Sequence, residues 1–229
     1  MRKVLAVILV VLAAGAWAAP GYAADYDRYE RGYRGEYPPP PPPPPRRAAT
    51  VPTQRHAQQG EPYFFAHLGV YDPNDETDGL KGYDSGVNFD LGIGSRISPV
   101  FAVEGTFGAF GAERGSDEAT VVPVTIGGRF IVPNPFIEPY LGAGFGLYFS
   151  SLKEDPRVGP PVFSGIDDTS TDFGGYLSLG ADFWLNQRAA LNVEGKYHWV
   201  TPTFRSNAGT DFDVDMGGWT VNLGVRLSF

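Results

Sequence analysis

The sequence predicts an all-β fold, an eight-stranded antiparallel up-and-down transmembrane β-barrel, and three observations carry that reading. Beyond Pro62 apolar and polar residues alternate strictly, the period-2 signature of strands, in segments of about ten residues. The connections between segments alternate between short and long, as expected of strands crossing a bilayer with short turns on one side and longer loops on the other. No charged residue falls on the apolar set of any segment.

The elements follow in chain order. Arg2 and Lys3 precede an apolar run from Val4 to Trp17, followed by small residues, so residues 1–24 read as a secretory signal cut near Ala23 or Ala24. The run is short for a spanning helix, and no later stretch approaches the continuous apolar length that such a helix needs. Residues 25–61 are Tyr-, Arg- and Gly-rich, then hold eight consecutive prolines from Pro38 to Pro45, and cannot build a core. They read as a disordered periplasmic tail whose proline run is an extended polyproline II spacer.

Residues 62–229 form the barrel. The eight segments are Tyr63 to Tyr71, Gly86 to Arg96, Val100 to Phe110, Val121 to Phe130, Phe136 to Phe149, Phe173 to Leu185, Ala189 to Trp199 and Trp219 to Phe229. Tight turns are expected at Ser98-Pro99, at Pro133-Asn134-Pro135 and at Asn186-Gln187-Arg188. Long external connections are expected at about residues 72–85, 111–120, 150–172 and 200–218, which puts both barrel ends on the periplasmic side.

The alternation reads as a lipid-facing outer wall around a polar interior. In the second segment Val87, Phe89, Leu91 and Ile93 interleave with Asn88, Asp90, Gly92 and Gly94; in the eighth, Trp219 to Phe229 repeats the pattern. A cation facing lipid at the midplane costs about 2 to 4 kcal/mol, so a charge-free apolar set is what a membrane requires. A soluble barrel of the lipocalin kind also alternates, but its polar face meets water. Here that face is rich in glycine, as at Gly127, Gly142, Gly144, Gly146 and Gly180, which suits a crowded interior. Aromatics end the apolar rows, with Phe64, Phe101, Phe130, Phe183 and Phe229 near the periplasmic rim and Phe149, Phe173, Trp199 and Trp219 near the outer one.

The charges that share inward parity are Asp90, Arg96, Glu104, Arg129, Glu138, Asp182, Glu194, Lys196 and Arg226. Five acids against four bases nearly cancel, so they are expected to form one paired network that plugs the lumen. The absence of cysteine removes both a lipoprotein anchor and a disulfide framework. A formal net charge of -8 argues against nucleic acid, whose phosphates need clustered Lys and Arg. The acidity lies in the external connections, which hold sixteen acidic residues against Lys81, Arg114, Lys153, Arg157 and Arg205. Asn74 to Gly79, with Glu76 and Asp78, and Asp211 to Gly217, with Asp213 and Asp215, space oxygens as calcium loops do. Ser85 stands where the first would need its bidentate glutamate, so both read as solvated, mobile loops and no metal is expected.

The segment from Trp219 to Phe229 ends in phenylalanine after apolar alternation and resembles the signal read by the barrel-assembly machinery, with Phe229 its anchor. With the signal and the eight segments, residues 62–229 resemble the outer-membrane β-barrel family that includes OmpA-type transmembrane domains, OmpX-like proteins and opacity-type adhesins, a porin-like family. The chain departs from full-length OmpA in having no peptidoglycan-binding domain after the barrel, so anchoring to the wall by that route is not implied. The resemblance implies the cell outer membrane, with lipid and the barrel-assembly machinery as partners. It also implies a monomer, with a host or envelope surface ligand bound through the loops.

Catalysis is not expected. The histidines are His56 in the tail, His67 and His198, and where the lipid A deacylase family has its serine, two residues after a histidine, this chain has Val200. With no cofactor expected, the function reads as structural or surface-interacting, and the alternative is a narrow porin-like channel for small solutes.

Overall fold

The computed structural model describes residues 60–74, 79–155, 166–207 and 209–229. The signal, almost all of the proline-containing tail, His56, and Glu76 and Asp78 of the first calcium-like stretch lie outside the described residues. The described residues form ten strands: β1 (Pro62–Pro73), β2 (Gly86–Ser98), β3 (Phe101–Arg114), β4 (Asp117–Ile131), β5 (Ile137–Glu154), β6 (Ile166–Trp184), β7 (Ala189–Trp199), β8 (Thr203–Arg205), β9 (Asp211–Asp213) and β10 (Gly218–Ser228). Eight of them close into one antiparallel barrel in the order β1-β10-β7-β6-β5-β4-β3-β2, and β8 and β9 pair as a separate small sheet. Closure joins β1 to β10, for example Leu68 to Leu223, so no strand of the barrel proper is left with an open edge.

The barrel matches the eight expected segments, but three of the four long connections differ from expectation. In place of a loop at residues 111–120, β3 runs on to Arg114 and β4 begins at Asp117. Gly115 and Ser116 make the turn between them, with Gly115 at φ +66, the glycine-first arrangement of a II′ hairpin. Most of the expected loop at 150–172 is strand, because β5 extends to Glu154 and β6 starts at Ile166. Within 200–218 lies the β8–β9 hairpin, so Asp211 to Asp213 of the second calcium-like stretch are strand rather than loop. Thr203 donates to Asp213, and Asp215 accepts from Asn74 and from the Gly217 amide, so these carboxylates tie the surface together.

The cause is a reversal of polarity along continuous strands. Between the rims the outward residues are apolar and the inward ones polar. Above the rim, outward Glu113, Glu118 and Lys153 are exposed, and inward Ala112, Ala119, Val121 and Leu152 are buried. On β3, β4 and β5 the alternation continues above the rim with its sense inverted, while on β6 Asp167 to Asp172 are polar on both faces.

The outer wall is an apolar band wide enough to meet lipid. Leu223, at the middle of β10, is 67% exposed beside Leu68 and Val193. A Leu223→Arg protein is expected to lose about 2 to 4 kcal/mol of stability in lipid vesicles. Reversible denaturant titration checks this, and an unchanged unfolding free energy would remove Leu223 from the hydrocarbon.

Candidate functional site: the barrel lumen

Strand pleat sets the interior. Residues of one parity on eight strands converge on a narrow axis, and in a barrel of this strand number side chains fill the space. The nine charges predicted to face inward all do so, and all are buried. Their ion pairs fall into three sets, two of which are joined through the neutral Tyr140 and Asn192.

The first set lies nearest the end where β1 begins and β10 finishes. Arg96 binds Glu138 through two parallel bonds of 3.1 and 2.6 Å, and the Trp184 indole donates to the same carboxylate at 2.9 Å. The fork geometry of guanidinium against carboxylate makes this the strong, directional kind of ion pair.

The second set is a ring above it. Arg129 donates to Glu104 at 2.9 Å and to Asp182 at 3.2 Å, while Arg226 lies 3.1 Å from each of those carboxylates. The guanidinium carbons of Arg129 and Arg226 stack 3.3 Å from the Tyr140 ring centre and 4.4 Å from that of Tyr63. Tyr63 donates its hydroxyl to Glu104 and Asn192 its amide to Asp182. A side chain at Gly180 would collide with the Tyr140 ring, which explains a glycine in mid-strand there.

The third set sits at mid-barrel. Lys196 reaches Asp90 at 2.9 Å and Glu194 at 3.2 Å. His67 Nδ1 lies 3.8 Å from Glu194 and 4.0 Å from Asp90, and among the described residues neither of its ring nitrogens has a hydrogen-bond partner. Tyr140 donates to Glu194 at 3.0 Å and bonds with Asn192, so it links this set to the ring below.

Above the charges the filling becomes apolar and continues into the connections. Tyr71, Phe110 and Tyr148 of the barrel pack with Val200, Phe204 and Met216 from the β7–β10 connection and with Leu80 from the β1–β2 connection. His198 lies between Phe110 and Tyr148, with ring centres 4.7 and 6.0 Å away, and its Nδ1 is 3.2 Å from the Tyr148 hydroxyl. Arg114 binds Asp117 and Glu154 at 3.0 Å each and covers the Tyr83 ring, tying three connections together. Burial and the adjacent Glu154 push the Tyr83 hydroxyl above its ordinary range, so it stays a neutral donor to that carboxylate.

Sequence parity located the charges but not their neutral partners. Tyr63, Tyr140, Trp184 and Asn192 all carry inward parity, and that parity was the available signal. Phe229 is 68% exposed beyond the end of β10, its amide donating to the Pro62 carbonyl.

Residues 48–227 match the family described as the outer membrane protein beta-barrel domain. Among solved structures the chain is similar to neisserial surface protein A, NspA, at 16% identity and a TM-score of 0.56, covering 75% of this chain and 98% of that one. It is also similar to the outer membrane protein OprG of Pseudomonas aeruginosa, at 16% identity and a TM-score of 0.54, covering 76% and 98%. AlkL, an outer membrane protein solved in lipid bilayers, matches at 14% identity and a TM-score of 0.50, covering 86% and 97%. No curated protein sequence matches.

Proposed function

Because the chain belongs to the outer membrane protein β-barrel family and resides in the outer membrane, we propose that it is a closed pedestal for a surface-interaction site, not a pore and not an enzyme. Short turns face the periplasm in this reading, and the extended β3–β4, β5–β6 and β8–β9 hairpins stand outside the cell.

One observation carries the proposal: the polar lumen is roofed by an apolar core that includes Phe204 and Met216, each fully buried, from the external connection. A pore gains nothing from a packed hydrophobic lid over its mouth. A display surface gains rigidity, because hairpins anchored by a core keep one shape for a partner to read. Ion pairing below the lid satisfies most of the buried charges without a water column.

Planar-bilayer recording at neutral pH tests closure. The expected result is no steady conductance of single size; such a conductance would favour the narrow solute channel. Replacing Thr203–Asp213 by a short turn tests display, and is expected to leave the barrel folded while reducing cell adhesion.

A further inference from the structure

The mid-barrel set differs from the two sets below it in one respect. Arg96 balances Glu138, and Arg129 with Arg226 balances Glu104 with Asp182, but Asp90 and Glu194 face the single ammonium of Lys196. His67 completes this site with its whole ring buried, 3% exposed, and with both nitrogens lacking a hydrogen-bond partner. A carboxylate pair facing one ammonium and an unsatisfied imidazole are each costly, and a divalent cation would ligate the imidazole and be balanced by the two carboxylates once the Lys196 ammonium has moved off them.

We propose that His67, Asp90 and Glu194 form a divalent transition-metal site inside the barrel, with Lys196 as the competing cation that the metal displaces. One ligand atom from each of the three residues lies within 4.8 Å of the others. His67 Nδ1 stands 3.8 Å from Glu194 Oε1 and 4.0 Å from Asp90 Oδ2. Zinc-like ions bind imidazole and carboxylate at about 2.0 to 2.2 Å, which sets tetrahedral donors about 3.4 Å apart, so the two distances to His67 close with side-chain shifts of a few tenths of an ångström. One imidazole with two carboxylates suits Zn²⁺ or Co²⁺ better than calcium, which takes oxygen donors in larger number.

The surroundings are shaped to hold these ligands. Gly224 lies against His67 and Gly108 against Asp90, and a Cβ at either position would collide with the ligand side chain. Lys196 contacts the same two oxygens, Asp90 Oδ2 and Glu194 Oε1, that a metal would use. Tyr176 offers the displaced ammonium an aromatic face already 5.1 Å away.

The competing lysine makes the proposal testable in two opposite directions. The full chain is folded from urea into detergent micelles with Co²⁺ present, and the visible absorption of tetrahedral Co²⁺ is read, with Zn²⁺ added to displace it. The wild type is expected to show the band. Lys196→Met is expected to bind roughly tenfold tighter or better, and His67→Ala to bind roughly tenfold weaker or worse. Folding of each variant is scored by its boil-dependent gel shift. If His67→Ala does not fold, His67→Gln in the Lys196→Met background replaces it and is expected to lose the band. Absence of the band from both wild type and Lys196→Met overturns the site, as does a band indifferent to His67 or weakened by Lys196→Met.

Discussion

The Arg129→Met protein is expected to be about 3 to 5 kcal/mol less stable than the wild type, because the substitution leaves buried carboxylates short of a counterion. Arg129 is 2% exposed, bonds Glu104 and Asp182, and lies flat on the Tyr140 ring. Methionine keeps much of the volume but none of the five donors, so two carboxylates are left to share Arg226 alone. The loss is a desolvation penalty on the remaining partners rather than the worth of the ion pair. Adding Glu104→Gln should therefore recover part of it, since that change removes the uncompensated charge. The Arg129→Met and Arg226→Gln effects should combine to more than their sum, because after either substitution the other guanidinium still serves both carboxylates. Reversible urea unfolding in lipid vesicles, followed by tryptophan fluorescence, measures all four proteins. An unchanged midpoint for Arg129→Met would mean that the ring does not form in the bilayer.

How much of this was legible in the sequence depends on which solvent each stretch of strand meets. Within the membrane band the outward rows, such as Val87 to Ile93, must be apolar and charge-free, so parity alone placed the nine lumen charges correctly indoors. Above the band the rule inverts. A reading that seeks apolar residues on the outer parity ends β3 at Phe110, yet Gly111 and Glu113 continue it outward while Ala112 continues it inward. The same inversion hid the upper part of β5, and the upper part of β6 was hidden because Asp167 to Asp172 are polar on both faces. The hairpin of β8 and β9 was illegible for another reason: strands of three residues have no period to detect, and they exist because Phe204 is buried from outside.

Within the lumen, parity shows which residues face in but not which meet across the axis. Arg96 and Glu138 lie on non-adjacent strands, as do Lys196 and Asp90, and strand stagger decides such pairings. That is why one continuous network of charges was expected and three sets of ion pairs are found, two of them joined only through neutral side chains. It is also why the sequence does not join His67 to Asp90 and Glu194.

Phe204→Ala is expected to open the roof while leaving the barrel intact. Phe204 is fully buried, and truncating a buried phenylalanine costs about 3 to 5 kcal/mol. The barrel ladder does not depend on it, since β8 pairs with β9 alone through three residue pairs. A two-stranded hairpin that short has no independent stability, so the lost packing appears as local opening of this connection. Arg205 follows directly in the strand and is exposed, which supplies a trypsin site whose cleavage reports the opening. When opening is fast relative to cleavage the rate tracks the open population, so cleavage after Arg205 is expected to accelerate roughly 100-fold or more. The boil-dependent gel shift should be retained. Phe173→Ala is the control, because its ring is 70% exposed on the outer wall and contributes nothing to the roof. Equal cleavage rates in the wild type and Phe204→Ala would show that Phe204 does not hold the hairpin down, and the rigid display surface would lose its anchor.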